Sequence, residues 1–180
     1  MNLIETFQDI VAQVPEFLQP VIVALAGAVP FIEGEGAVTI GILGGIHPVI
    51  AAAAAMIGNF LCVAILVYLS AGARDAIVTR HRAKVASREL AAGGGVALEE
   101  FAVTAAPSAR AEKFQRALVR YGVPGVSLLG PLLLPTQFTA TMLAAAGVSK
   151  PRILLWQGIA IFGWTTAFAI IIGAVVTAVN

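Results

Sequence analysis

The chain has 180 residues, of which 59% are hydrophobic and 12% are charged, and its formal net charge is +1. Soluble domains carry about 25% charged residues, so this composition excludes an ordinary soluble domain. Residues 36–73, 121–149 and 153–180 contain no Asp, Glu, Lys or Arg, and apolar stretches of this length are candidates for membrane-embedded helices. The sequence therefore predicts an all-α integral membrane protein with a single polytopic domain.

Residues 1–16 are predicted to form an amphipathic helix that lies in the membrane interface. Its apolar side chains share one face of a helix, namely Leu3, Ile4, Phe7, Ile10, Val11 and Val14. The alternative is that this face packs against the end of the helix bundle. A basic start and a small-residue cleavage site are both missing, so we do not expect a secretory signal.

Residues 17–46 are predicted to form a re-entrant hairpin, and residues 48–73 a transmembrane helix. Pro30, Gly34 and Gly36 interrupt the first stretch and are expected to form the hairpin. They leave arms of about 12–15 residues, roughly 18–22 Å long, which cannot cross a hydrocarbon core of about 30 Å alone. The hairpin as a whole should therefore enter and leave on the same side of the membrane.

Residues 74–121 are predicted to form a basic cytoplasmic loop that contains helices. Residues 74–120 hold nine of the eleven Lys and Arg residues together with five acids, which gives this segment a net charge of +4. Such segments collect on the cytoplasmic side. The glycines at 93–95 should break the first helix, Ser108 should cap the second and Gly122 should end it. Topology and contact with anionic lipids explain the charge, so nucleic acid is not an expected partner.

Residues 123–147 and 152–179 are predicted to form a second hairpin and a second transmembrane helix, with Gly130 and Pro131 forming the hairpin. With the basic segment inside, the first hairpin opens to the outside and the second to the inside. The unit of hairpin plus transmembrane helix then occurs twice in opposite orientation, an inverted repeat as in many secondary transporters. The alternative is four simple crossings.

Glu33 and Glu35 are the candidate site for substrate and protons. A carboxylate at membrane depth is costly and usually faces a cavity, and burial favours the uncharged form, which suits proton uptake near neutral pH. Glu35 is expected to be the deeper of the two. Further candidates are Pro135, Gln137, Asn59 and Gln157. The alternatives are that the glutamates cap a wet loop and that the amides join helices.

Two further polar or aromatic residues are expected to have structural roles only. We expect the hydroxyl of Thr136 to bond its own helix backbone, and we expect Trp164 to pack in the core. His47 and His81 are the only histidines, and no nucleophile–base or metal-binding motif is present. We therefore expect no enzyme, no cofactor and no metal.

The sequence RYGVPGVSLLGPLLLPTQFTATMLAAAGVSKPRILLWQGIAIFGW, at residues 120–164, resembles the small multidrug export family, a relative of the DedA/VTT membrane proteins. PFIEGEGAVTIGILGGIHP is similar to the first hairpin of that superfamily, and the resemblance covers roughly residues 17–175. It implies re-entrant hairpins, a bacterial cytoplasmic membrane location and movement of lipid carriers or phospholipids that depends on proton motive force. The second-hairpin pattern RFxPxxR keeps Pro135, but Leu132 and Phe138 replace its arginines.

Together these features predict a small secondary transporter or lipid translocase, coupled to protons through Glu33 and Glu35. Its expected partners are the bilayer, protons, an amphiphilic substrate and a second copy in a homodimer. A carboxylate pair without arginines favours a cationic amphiphile, whereas the resemblance favours a lipid. A membrane scaffold that transports nothing is the remaining alternative.

Overall fold

The computed structural model describes residues 3–91 and 109–179, and all regular structure within them is helical. Seven α-helices follow one another: α1 (Leu3–Gln13), α2 (Gln19–Gly27), α3 (Glu33–Leu43), α4 (Pro48–Ala91), α5 (Ala109–Leu129), α6 (Thr136–Ala145) and α7 (Lys150–Val179). Short 3-10 turns lie at Glu16–Leu18 and Gly130–Leu132. The predicted all-α class is confirmed for these residues. The predicted break at glycines 93–95 and the cap at Ser108 lie outside them.

Two helices are long and apolar enough to cross a membrane. They are Pro48–Arg80 within α4 and Lys150–Val179, whose most apolar 18-residue windows have mean hydropathies of 2.4 and 2.3. The core helix of a soluble protein would be mostly buried, but only 39% and 17% of these windows are buried. Their outer faces expose large apolar side chains, including Leu61, Ile65 and Phe162. The first of these helices continues beyond the predicted transmembrane span of residues 48–73, so the apolar stretch and the first basic residues after it form one helix to Ala91.

The two helices before α4 are short and pack closely on it. With 9 and 11 residues, α2 and α3 are about 14 and 17 Å long. A Cβ atom on Gly58 would lie 1.8 Å from the backbone oxygen of Ala24, and one on Gly27 would lie 2.7 Å from the backbone oxygen of Ala55. The backbones of α2 and α4 are therefore in contact, which only glycine permits at these positions.

The turn between α2 and α3 differs from the predicted one. Phe31 and Glu33 have left-handed backbones, with φ values of 72° and 54°. Gly34 and Gly36 were expected to provide the turn, but they lie inside α3 and neither has a positive φ. Gly34 instead allows a close approach, because a Cβ atom there would lie 2.1 Å from Oγ1 of Thr165 on α7.

The helices α3 and α6 end in the same way. Each is followed by a glycine with a left-handed backbone, Gly45 with φ 86° and Gly147 with φ 82°. The next residue donates its N–H to a carbonyl five residues earlier, Ile46 to Gly41 at 3.0 Å and Val148 to Leu143 at 3.1 Å. This is the Schellman motif. In both halves of the chain a short helix, this cap and a long helix follow in order.

The helix α5 is broken at Gly122, whose φ of 66° and ψ of −175° are not helical. The predicted end at Gly122 of the second helix in the basic segment is therefore confirmed. The chain then resumes a helix to Leu129 and turns through Gly130–Leu132 before α6. A Cβ atom on Gly130 would lie 3.0 Å from Oγ1 of Thr139, so this glycine brings the turn close to α6.

The N-terminal helix α1 packs against the bundle, which is the alternative considered above. Val11 is fully buried, and its Cγ1 atom lies 2.9 Å from the position of a Cβ atom on Gly44. Phe7 packs on the same apolar cluster, which α2, α3 and α4 also build. A second apolar cluster joins α5 and α6 to α4 around Val63 and Val67, and to α7 around Ile153 and Ile161.

Candidate functional site

The side chain of Glu33 caps the N-terminus of α6 from 103 residues away. Its Oε1 atom accepts hydrogen bonds from the backbone N–H of Thr136 and from the hydroxyl of Thr136, the latter at 2.8 Å. The N-cap residue of α6 is Pro135, which has no side-chain cap bond. The first N–H groups of a helix need acceptors and carry a partial positive charge. The Glu33 carboxylate supplies both the acceptor and the compensating charge.

Two amide side chains complete this polar group. Gln137 Nε2 donates to Asn59 Oδ1 at 3.2 Å, and Thr136 Oγ1 lies 3.1 Å from the same oxygen. We call Glu33, Asn59, Thr136 and Gln137 the Glu33 cluster. Glu33 is 6% exposed and the other three are at most 2% exposed. The structure therefore joins three predicted site residues, and it adds Thr136, whose hydroxyl bonds the Glu33 side chain instead of its own helix backbone.

The hydroxyl of Thr136 can serve Glu33 in either protonation state. A hydroxyl has one proton to donate and two lone pairs that accept. When Glu33 is ionised, Thr136 donates to its carboxylate. When Glu33 is protonated, its O–H can donate to Thr136, whose own proton can then turn to Asn59 Oδ1. Glu33 therefore has a hydrogen-bond partner in both protonation states.

Glu35 lies beside this cluster in a cavity of about 240 Å³. The cavity is lined by both carboxylates, by three aromatic rings and by part of the Gly130–Leu132 turn. Its lining residues are Phe31, Ile32, Glu33, Glu35, Gly36, Pro131, Leu132, Trp164 and Phe168. Trp164 Nε1 donates to the carbonyl of Leu128 at 2.9 Å, which fixes the orientation of its ring. Trp164, expected only to pack, is thus part of the cavity wall.

The two glutamates differ in how far the protein buries them. Glu33 is buried, whereas Glu35 is half-buried and accessible from the cavity. The reason is the left-handed turn at Phe31 and Glu33, which directs the Glu33 side chain towards α6. Pro30, which precedes this turn, is itself exposed.

Gln157 does not join the Glu33 cluster. Its Nε2 atom donates to Ser127 Oγ at 3.4 Å, on α5, and it is fully buried. Among the described residues, three buried polar atoms have no hydrogen-bond partner: Asn59 Nδ2, Gln157 Oε1 and Thr165 Oγ1. Gln157 thus joins α7 to α5, which is the interhelical role considered as its alternative. Thr165 was not among the predicted site residues. Its position as a polar residue in the uncharged stretch 153–180 was the available signal.

The backbone of Glu33 is a further sign that its side chain has a role. A left-handed conformation costs a non-glycine residue roughly 1–2 kcal/mol. Gly34, the next residue, could adopt it at little cost but does not. Strained residues of this kind concentrate at functional sites and switches. Glu33 adopts this conformation at the position where its carboxylate bonds Thr136 of α6.

Comparison with known proteins yields no match to a family model, to a curated protein or to a solved structure.

Proposed function

We propose that the protein is a small secondary transporter in which protons and a cationic amphiphile compete for Glu33 and Glu35. The observation that carries this proposal is the cavity of about 240 Å³ that contains both carboxylates and three aromatic rings. Carboxylates attract cations, and the faces of Trp and Phe rings bind ammonium groups within about 6 Å. An anionic phosphate has no cationic partner among the residues that line this cavity.

Two similarities between the halves of the chain support an inverted repeat of re-entrant hairpin and transmembrane helix. Both short helices end in a Schellman cap at a left-handed glycine, Gly45 or Gly147, and a long apolar helix follows each. The helices α2 and α3 are too short to cross a bilayer alone. In this arrangement α4 and α7 span a bacterial cytoplasmic membrane, and the basic end of α4 lies in the cytoplasm.

The coupling step follows from the contacts of Glu33. Ionised Glu33 holds the N-terminus of α6 through a charge-assisted hydrogen bond. Protonation removes the charge and weakens this bond, so proton uptake loosens the contact between α3 and α6. A cation at Glu35 favours ionised carboxylates, whereas a proton favours release of the cation. Exchange of one for the other is the expected antiport cycle.

Lipid translocation is the second candidate function, with support from the resemblance of residues 17–175 to the DedA/VTT proteins. The absence of both hairpin arginines, with Leu132 and Phe138 in their places, leaves this site without the bidentate groups that bind phosphate well. In a scaffold that transports nothing, the Glu33 carboxylate would serve only to cap α6, and the strained backbone of Glu33 would have no further role.

The first test is paired flux in proteoliposomes with an imposed pH gradient. One assay follows a cationic amphiphilic dye, and the other follows a fluorescent polyprenyl-phosphate analogue. We expect Glu35→Gln to reduce dye flux by about tenfold or more, since an interaction with a desolvated charge contributes about 1.5–3 kcal/mol. The matched control is Glu112→Gln, because Glu112 is an exposed carboxylate paired with Arg116. Lipid flux that depends on Glu35 would establish the second candidate, and no flux of either probe would contradict both.

Direct binding to the cavity can be measured by tryptophan fluorescence. The chain has two tryptophans, so Trp156→Phe leaves Trp164 as the only reporter. Benzyltrimethylammonium and phenylmethanesulfonate are close in shape and opposite in charge. We expect the cation to change the Trp164 emission with saturation, and Glu35→Gln to weaken its binding about tenfold, a change of about 1.4 kcal/mol. Equal responses to cation and anion would contradict a cation site.

A further inference from the structure

A second cavity, of about 430 Å³, lies between the two parts of α5, the Gly130–Leu132 turn and α6. We call it the α5 groove. Lys113, Ala117 and Tyr121 line it at the four-residue spacing of one helix face, and Gly125, Leu129 and Leu133 continue the wall beyond the break at Gly122. Phe114 and Val126 add further apolar surface. The groove is separate from the cavity that contains Glu35, with which it shares no lining residue.

The charged residues at the α5 groove are basic. Lys113 is its one charged lining residue, and it lies about 12 Å along the helix axis from Tyr121. No acid among the described residues lies within ion-pair distance of Lys113, whereas Arg116 pairs with Glu112 at 3.7 Å. The guanidinium of Arg120 lies 5.4 Å from the centre of the Tyr121 ring. The groove therefore combines an apolar length with the Lys113 ammonium group, which pairs with no acid of the described residues, and with a second cation, Arg120, beside Tyr121.

This combination is complementary to one class of ligand, an apolar chain with an anionic head. Lysine binds phosphate as a point charge, and basic residues beside a membrane attract anionic lipids by about 1 kcal/mol each. Residues 74–120 carry a net charge of +4, which favours an anionic over a zwitterionic head. Arg120 and Lys113 both lie in this segment.

We propose that the α5 groove binds one acyl chain of an anionic phospholipid, with the phosphate at Lys113. The chain would run over Ala117 and Tyr121 towards Leu133, and would fill the space between α5 and α6. Thr139, which also lines the groove, lies one helical turn after Thr136 of the Glu33 cluster. The lipid is thus a ligand that supports α6. The proposal does not depend on the transport function, because binding alone tests it.

The test is native mass spectrometry of the purified full chain, titrated with dioleoylphosphatidylglycerol or dioleoylphosphatidylcholine, which have the same acyl chains. We expect the anionic lipid to bind about tenfold more tightly. Lys113→Ala and Lys113→Gln should abolish this preference, and Lys113→Arg should retain it. Arg116→Ala removes a nearby charge outside the groove and should leave the preference intact.

Binding of the acyl chain is tested with a substitution that fills the groove with a larger side chain. Ala117→Phe should weaken the binding of both lipids, whereas Val119→Phe should not, because Val119 is 86% exposed and does not line the groove. Circular dichroism first establishes that each variant is folded. Equal binding of the two lipids to the wild type, an equal loss with Arg116→Ala, or unchanged binding with Ala117→Phe would each overturn the proposal.

Discussion

Glu33→Ala is expected to lower the free energy of unfolding by about 2–3 kcal/mol and to abolish proton-coupled flux. The substitution removes the acceptor for the Thr136 N–H and hydroxyl. Loss of a helix cap costs about 0.5–2 kcal/mol, and a buried donor without a partner costs about 1–3 kcal/mol. Chemical unfolding in detergent, followed by circular dichroism, measures the first effect, and the proteoliposome assay measures the second.

Glu33→Gln separates the two roles of this side chain. The amide oxygen can still accept from Thr136, so we expect a loss of stability below about 1 kcal/mol, but an amide cannot take up a proton in exchange. Flux should therefore fall to the level of Glu33→Ala while the protein remains folded. The control for stability is Glu112→Ala, because Glu112 is 54% exposed and such pairs contribute less than about 1 kcal/mol. If Glu33→Gln transports normally, Glu33 is a helix cap only.

Gly58→Ala is expected to destabilise the protein by about 3 kcal/mol, at the upper end of the cost of overpacking. A Cβ atom there would lie 1.8 Å from the backbone oxygen of Ala24. A backbone atom cannot rotate away as a side chain can, so α2 and α4 must separate. The free energy of unfolding in detergent, or the loss of folded protein on gel filtration, measures the effect.

Gly72→Ala is the matched control because Gly72 lies on the same helix and has no atom within 4 Å of a Cβ position. There the same substitution should stabilise the helix by roughly 0.5–1 kcal/mol, since alanine is the better helix former. Equal effects at the two positions would show that α2 and α4 do not approach as closely as described.

Thr165, a polar residue on the apolar helix α7, packs directly against Gly34. Thr165 is fully buried, its hydroxyl has no partner, and it contacts the first turn of α3 where Gly34 leaves room. Thr136 contacts Glu33 in the same turn from α6. The start of α3 is thus the place where α6 and α7 both meet the first half of the chain.

Local patterns in the sequence were sufficient for the helical framework. The absence of charge over residues 153–180 predicted the long helix α7, and the amphipathic segment that ends at Gly122 predicted the break in α5. These features depend on contacts within one helix or one turn, such as the missing side chain of a glycine. They can therefore be derived from neighbouring residues alone.

The tertiary structure decided which polar residues meet. Glu33 and Thr136 are 103 positions apart, and nothing in either local sequence indicates their contact. Gln157 resembled Gln137 as a candidate, yet it bonds Ser127. The physical reason is that helices such as α7 are apolar on all sides, because both the packed core and the exposed surface select apolar residues. Hydrophobic periodicity then cannot identify the inner face, and only the packing of whole helices determines where each side chain lies.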